Sequence, residues 1–254
     1  MLDFEFYNPT YIVFGKNVIR KLDDLIADDA RVLLLYGGGS IKANGVYGAI
    51  KKALKKRTIV EFGGILPNPE YSQLTEAIET ARVKEVDFIL AAGGGSVIDG
   101  AKFIAAALHY AGKDPWDLVE KWLPIESATP LGCILTLPAT GSEMNSIGVI
   151  SRADRTMKQS FRADALYPQF ALLDPAATVT LPRRQTVNGA IDTIAHVLEQ
   201  YLTYPTGAAL TDRFAEAIVR TVIETTPVVL EKPDNIPARG TMMWCSSNAL
   251  NGLL

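Results

Sequence analysis

Two groups of residues in this chain have the types and spacing that chemistry needs. The first is Gly93-Gly94-Gly95-Ser96, continuing into Val97-Ile98-Asp99-Gly100-Ala101-Lys102. Before it, Asp87-Phe88-Ile89-Leu90-Ala91-Ala92 is a short apolar run that reads as a buried parallel strand. After it, Phe103-Ile104-Ala105-Ala106-Ala107-Leu108 reads as a helix. The glycines therefore sit at a strand-to-helix turn, where bare backbone N–H groups can crowd against a ligand. A helix N-terminus adds partial positive charge, which suits a phosphate or pyrophosphate. The plain alternative is a Gly-rich turn with no ligand. A second such turn, Gly37-Gly38-Gly39-Ser40, follows the apolar run Arg31 to Tyr36. Two phosphate-friendly turns point to a dinucleotide more than to a mononucleotide. Neither is G-x-G-x-x-G, so the ordinary dinucleotide fingerprint is not what this is. Tyr36 through Ile41 contains no acid to accept from a ribose 2′-OH. It offers glycine N–H groups, the Ser40 hydroxyl and nearby Lys42, which favours NADP(H).

The second group is Asp192 and His196. They are four residues apart in a helical stretch and so share a face. Ala190, Ile191, Ile194, Ala195, Val197 and Leu198 surround them, which predicts a helix apolar almost all round and buried. A buried carboxylate and imidazole need partners. They either hydrogen-bond each other or act as two ligands of one divalent metal, Fe²⁺ or Zn²⁺. Spacing alone leaves both open. The other histidine, His109, reads as a packed or capping residue.

These groups must be positioned by the elements around them. Tyr11 to Gly15 reads as a strand and turn, with Asn17 as a candidate cap for a helix to about Ala27. Strand Arg31–Tyr36, a helix to about Lys56, strand Thr58–Phe62, the rigid loop Pro67-Asn68-Pro69 and a helix from Tyr71 to Val83 follow. Such alternation implies βαβ units and a parallel sheet, with ligands beyond the carboxyl ends of the strands. Asp114-Pro115-Trp116-Asp117 starts a short helix. Gly132 to Pro138 is another strand, running into the polar loop Ala139 to Asn145 on the same edge. Ser146 to Ser151 and Ala171 to Leu173 are further strand candidates, with Lys158-Gln159-Ser160-Phe161 between them. Beyond Leu181-Pro182 the pattern becomes helical: Arg183 to about Leu202, then Leu210 to about Glu224. A loop is expected from Pro227 to Pro237, and a helix from Arg239 onward. The domain boundary falls near Thr180, with an α/β domain over 1–180 and the start of a helical domain over 181–254.

The 254 residues suffice for one large or two modest cores. A formal net charge of −3 gives no general attraction to nucleic acid. The basic run Lys51 to Arg57 reads as a solvated helix end without interleaved aromatics. Cys133 and Cys245 lack metal-type spacing and read as buried free thiols in a reducing compartment. The acidic, aromatic N-terminus is not a signal peptide, and no apolar run reaches membrane-spanning length. The expectation is a soluble cytoplasmic protein with no nucleic-acid or membrane partner.

Taken in order, these motifs resemble the iron-type (group III) metal-dependent alcohol dehydrogenase family. The resemblance is to its NADPH-dependent butanol dehydrogenase and aldehyde reductase branch. It rests on Phe14-Gly15-Lys16, Tyr36 to Ser40, Glu61 to Ile65 with Pro67-Asn68-Pro69, and Gly93 to Lys102. It continues through Leu135 to Glu143, Val149 to Ser151, Leu173-Asp174-Pro175, Asn188-Gly189 with Asp192 and His196, and Asn248 to Gly252. It implies a Rossmann-like α/β dinucleotide-binding domain followed by an all-α domain. It also implies site roles. Gly38, Ser40 and Asn68 would hold the adenosine end, with Ser40 beside the 2′-phosphate. Gly95 and Ser96 would bind the pyrophosphate, and Thr136, Ser142, Asn145 and Lys158 would line the path of the nicotinamide half. Gly37, Gly39, Gly94, Asp99 and Thr140 belong to the same cofactor site, while Asp192 and His196 would be two of four metal ligands. Asp192, His196 and Lys158 are the candidate catalytic residues. The family draws its other two ligands from histidines further along, so this chain, ending at Leu254, is expected to be a fragment without them. The implied activity is NADP(H)-linked, metal-dependent interconversion of aldehydes and primary alcohols such as butanol, by a homodimer joined through the N-terminal region. A glycerol or polyol dehydrogenase of the same superfamily is the alternative enzyme. A catalytically inert nucleotide-binding module is the alternative of a different class.

Overall fold

The computed structural model describes residues 3–204 and 207–254. The α/β part runs β1 (Tyr11–Phe14), α1 (Leu22–Leu25), β2 (Arg31–Tyr36), α2 (Ser40–Ala43), α3 (Val46–Ala53), β3 (Thr58–Phe62), α4 (Tyr71–Val83), β4 (Phe88–Gly94) and α5 (Gly95–Ala107). It continues with α6 (Asp117–Glu120), β5 (Leu131–Leu137), β6 (Ile147–Arg152), β7 (Met157–Arg162) and β8 (Phe170–Leu173). Three helices follow: α7 (Arg183–Tyr201), α8 (Ala209–Glu231) and α9 (Ile236–Ala249).

Six strands form one parallel sheet in the order β1-β8-β5-β4-β2-β3. The central strands are continuous apolar runs because helices cover both faces. Their alternation divides the core in two. Leu33, Leu35, Ile89 and Ala91 point to the side of α4 and α5. Val32, Leu34, Leu90 and Ile134 point to the side of Val18, Leu22 and Ile50. From β2 the chain steps outward to β3, then returns to lay β4 on the other side of β2. That reversal makes a switch point between β2 and β4, where sheets of this kind bind ligands. Both Gly-rich turns emerge there, after Tyr36 and at Gly93–Gly94, and Tyr36 is paired with Ala92. The three C-terminal helices pack on one another through Ala190, Val222, Val229, Ala238, Met242 and Cys245.

Several local expectations are corrected. Asn17 does not cap with its side chain. Its φ of 60° is left-handed, and its backbone N–H donates to Asp174 Oδ2 at 2.7 Å. The helix expected to reach Ala27 is a 3-10 turn over Val18–Lys21 followed by the short α1. Lys158-Gln159-Ser160-Phe161 lies in β7, antiparallel to β6. Its signal is weak because Phe161 faces the core while Lys158 and Ser160 face out. Pro227 lies inside α8 instead of opening a loop. It removes one backbone donor, but the fully buried Val222 and Val229 on either side hold the helix through it. Arg57 is not a solvated end of the basic run. It is buried and paired with Asp23 and, at 2.9 Å, with Asp28. Cys133 and Cys245 are free and buried, as expected. Among the described residues no helix is long and apolar enough to cross a membrane.

Candidate functional site

A cleft of about 540 Å³ opens at the carboxyl edge of the sheet, lined by Gly37, Gly38, Asn68, Gly94, Gly95, Ser96, Thr140, Gly189 and Asp192 among others. Cavities of about 690 Å³ between β1 and α9 and about 580 Å³ beside α3 are larger. Neither touches a Gly-rich turn, whereas both turns line the first cleft.

The glycines there do different jobs. A Cβ on Gly93 would stand 2.5 Å from Val97 Cγ2, so this glycine lets α5 fold back onto its strand. A Cβ on Gly95 would stand 2.5 Å from Thr140 Oγ1, so this one admits the loop after β5. The turn after β2 is open instead: a Cβ on Gly38 would meet nothing within 4 Å. Gly39 takes a φ of 94° and starts α2 at Ser40. Ser40 and Lys42 are exposed beside it, with Lys42 Nζ 5.2 Å from the centroid of the Tyr36 ring.

Asn68, between two prolines, has a left-handed φ of 57°. Its backbone N–H donates to Ser96 Oγ at 3.3 Å, and its Oδ1 accepts from Lys158 Nζ at 2.8 Å. Lys158 is brought there by the hairpin. It lies opposite Ser151, whose N–H donates to Pro69 O at 2.9 Å.

Gly189 brings α7 to the cleft. A Cβ on it would lie 2.4 Å from Pro138 O, so no larger residue lets the helix approach the loop so closely. Asp192 then enters the lining, and His196 Nε2 stands 3.7 Å from its Oδ2. The pair is not buried as the apolar neighbours suggested. The side chains are 43% and 24% exposed, and Ile191 and Leu198 are exposed beside them. The helix presents this surface because its core contacts run through Ala190, Thr193 and Val197 instead. Among the described residues no group of three or more His, Cys, Asp or Glu side chains is placed to hold a metal ion. His109 is remote from the pair, with its ring nitrogens at 3.4 and 3.3 Å from the hydroxyls of Ser127 and Thr129.

Other candidates lie behind the cleft. Thr136, Ser142 and Asn145 are buried and do not line it. Ser142 and Asn145 are turned to Lys102. Asp99 accepts from Ser142 Oγ at 2.6 Å and from Val149 N–H at 3.1 Å. Burial pushes the Asp99 carboxyl up, and the nearby Lys102 charge opposes that. Glu143 is also pushed up by burial, against the hydroxyl of Ser247 that donates to it at 2.5 Å. Sequence reasoning assigned nothing to Lys102 or Glu143. The available signal was a lysine inside the otherwise uncharged run Gly100 to Leu108.

Residues 9–175 match the iron-containing alcohol dehydrogenase family, and residues 186–253 match the C-terminal part of the Fe-containing alcohol dehydrogenase family. The chain belongs to the iron-containing alcohol dehydrogenase family. It is 49% identical over 256 residues to the NADPH-dependent aldehyde reductase YqhD of Escherichia coli K12, covering all of this chain and 66% of the relative. It is 43% identical over 257 residues to NADH-dependent butanol dehydrogenase A of Clostridium acetobutylicum, again with 66% of the relative covered. The crystal structure of E. coli YqhD superposes with a TM-score of 0.97 over 99% of this chain and 65% of that one. The chain thus spans about two thirds of the length of the relatives it matches.

Proposed function

We propose that this chain provides the NADP(H) site and two metal ligands of a metal-dependent alcohol dehydrogenase that reduces aldehydes to primary alcohols and runs the reverse. The observation that carries it is Asp192 lining the same cleft as both Gly-rich turns. In this reading residues 1–180 form the NADP-binding domain and 181–254 begin the metal-binding helical domain. The cleft fits a dinucleotide. The Gly94–Ser96 backbone at the start of α5 receives the pyrophosphate. The open space at Gly38, with Ser40 and Lys42 beside it, admits a 2′-phosphate. Asn68, held by Lys158 and by Ser96, orients the adenosine side. The carboxylate of Asp192 and the imidazole of His196 suit Fe²⁺ or Zn²⁺. When bound, the metal supplies Lewis acidity at the carbonyl oxygen and the nicotinamide supplies the hydride. Gly189 keeps Asp192 at the cleft wall, and Lys158 adds positive charge at its margin. The aldehyde reductase and butanol dehydrogenase relatives support aldehydes and primary alcohols such as butanol as substrates. The outer edge of β1, with exposed Phe6, Tyr7 and Tyr11 nearby, supports a homodimer through the N-terminal region. A cytoplasmic location completes the reading.

Oxidation of NADPH by butanal, with Fe²⁺ or Zn²⁺ supplied, tests the activity. Turnover that requires metal and prefers NADPH is expected. A preference for glycerol with NAD would replace it with the polyol reading. A nucleotide-binding module without turnover is the second reading, favoured by Asp192 and His196 standing as a pair among the described residues. NADPH binding with no oxidation under any metal would establish that one.

A further inference from the structure

Helix α5 and the loop over 138–146 meet along two rungs. The first is at the cleft, where Gly95 lies against Thr140. The second is two turns further along α5, at Lys102, whose side chain is 0% exposed. Its ammonium donates to Ser142 O at 2.7 Å, Ser142 Oγ at 2.9 Å, Asn145 Oδ1 at 3.0 Å and Ile147 O at 2.7 Å. All four acceptors belong to the loop or to the start of β6. Because Ser142 Oγ accepts from Lys102, its own proton is free for Asp99 Oδ1, 2.6 Å away. Asn145 Nδ2 donates to Gly141 O and Leu250 O, both at 3.0 Å, which ties the loop across itself and to the end of α9. A buried ammonium is costly unless every proton is taken up, and here every proton is. Burial pushes Lys102 down to about 8, and the Asp99 carboxylate opposes that shift.

We propose that Lys102 is a positioning residue that holds the loop walling the Asp192 end of the cleft against α5 and, through Ser142, holds Asp99 in place. The proposal rests on the dinucleotide reading above. The cleft runs from Gly37 and Gly38 past Gly94–Ser96 to Thr140 and Asp192. In that reading the adenosine half lies at Gly37–Ser40 and the nicotinamide half toward Thr140. Lys102 grips Ser142, Asn145 and Ile147, which lie behind the cleft and follow closely on Thr140 in the wall of its second end, so it acts on that half of the cofactor.

The test is calorimetric titration of the chain and of Lys102→Met and Ser142→Ala with two ligands, NADPH and adenosine 2′,5′-bisphosphate. For Lys102→Met the NADPH Kd rises at least about tenfold, while the bisphosphate Kd stays within about twofold. Ser142→Ala keeps the contacts of Lys102 to Ser142 O, Asn145 and Ile147, and should weaken NADPH about threefold with the bisphosphate unchanged. Equal losses for both ligands would make Lys102 a structural residue only and overturn the proposal. So would unchanged NADPH binding in both variants. If Lys102→Met does not fold, Ser142→Ala decides by the same comparison. Failure of the unsubstituted chain to bind either ligand refutes the dinucleotide reading itself, and the proposal with it.

Discussion

At the scale of residues, the cleft depends on which glycines are open and which are filled. Gly93 and Gly95 are required by Val97 and Thr140, which occupy the space a side chain would need. Gly38 faces nothing within 4 Å and is free of a left-handed φ, so a side chain fits there without strain. Replacing Gly38→Asp puts a carboxylate where the proposed 2′-phosphate lies and an acceptor where a ribose 2′-OH would be. The ratio of NADP to NAD affinity should fall about tenfold or more, equivalent to about 1.4 kcal/mol. Fluorescence titration with both cofactors measures it, and an unchanged ratio would show that this turn does not hold the adenosine ribose. The chemistry of this turn was legible from Gly37 to Lys42 without coordinates, because it depends on residue types next to each other. The packing demands on Gly93 and Gly95 were not, because Val97 meets Gly93 only once α5 folds back on its strand, and Thr140 reaches Gly95 from a distant part of the chain.

At the scale of elements, α7 supplies the metal-type pair and Gly189 sets how closely it approaches. Gly189→Ala would drive a methyl to 2.4 Å from Pro138 O, a backbone atom that cannot swing aside. The substitution should destabilise the fold by about 1–3 kcal/mol, the range for overpacked sites. Urea unfolding would show this as a lower midpoint with an unchanged slope. A neutral result would mean that helix and loop part easily. Helix α4 was legible from apolar spacing, since Leu74, Ile78 and Ala81 repeat with the helical period, and α7 was legible as one long helical run. Strand β6 was legible as the run Ser146 to Ser151, but β7 and the hairpin they form were not. Its inward residues are too few and its strands are stabilised by contacts to Pro69 and to α5 rather than by pattern. The passage of α8 through Pro227 was hidden for the same reason, since Val222 and Val229 hold it only once α7 and α9 are in place.

At the scale of the whole molecule, Glu143 joins the two parts. It sits after β5, fully buried, and accepts from Ser247 on α9. Burial raises its carboxyl above the ordinary value, so the folded chain holds this proton to higher pH than the unfolded chain does. Its contribution to stability is therefore complete at low pH and is lost as pH rises from the unfolded value through the raised one. Glu143→Gln keeps an acceptor for Ser247 and cannot ionise. Its stability relative to the unsubstituted chain should grow with pH over that window, by at most about 1.4 kcal/mol per pH unit. Urea unfolding at about pH 5 and about pH 8 checks the sign, and a difference independent of pH would mean that Glu143 titrates normally. The sequence by itself determined the parallel α/β sheet, the two glycine turns and the Asp192–His196 spacing. Each of these rests on residues near one another in the chain, read through strand and helix periods. Only the tertiary structure decided that Asp192 shares a cleft with both turns, that Ser142 and Asn145 serve Lys102, and that Glu143 meets Ser247. Those pairings join residues 40 to 155 positions apart, and burial, which gives them their energies, exists only after folding.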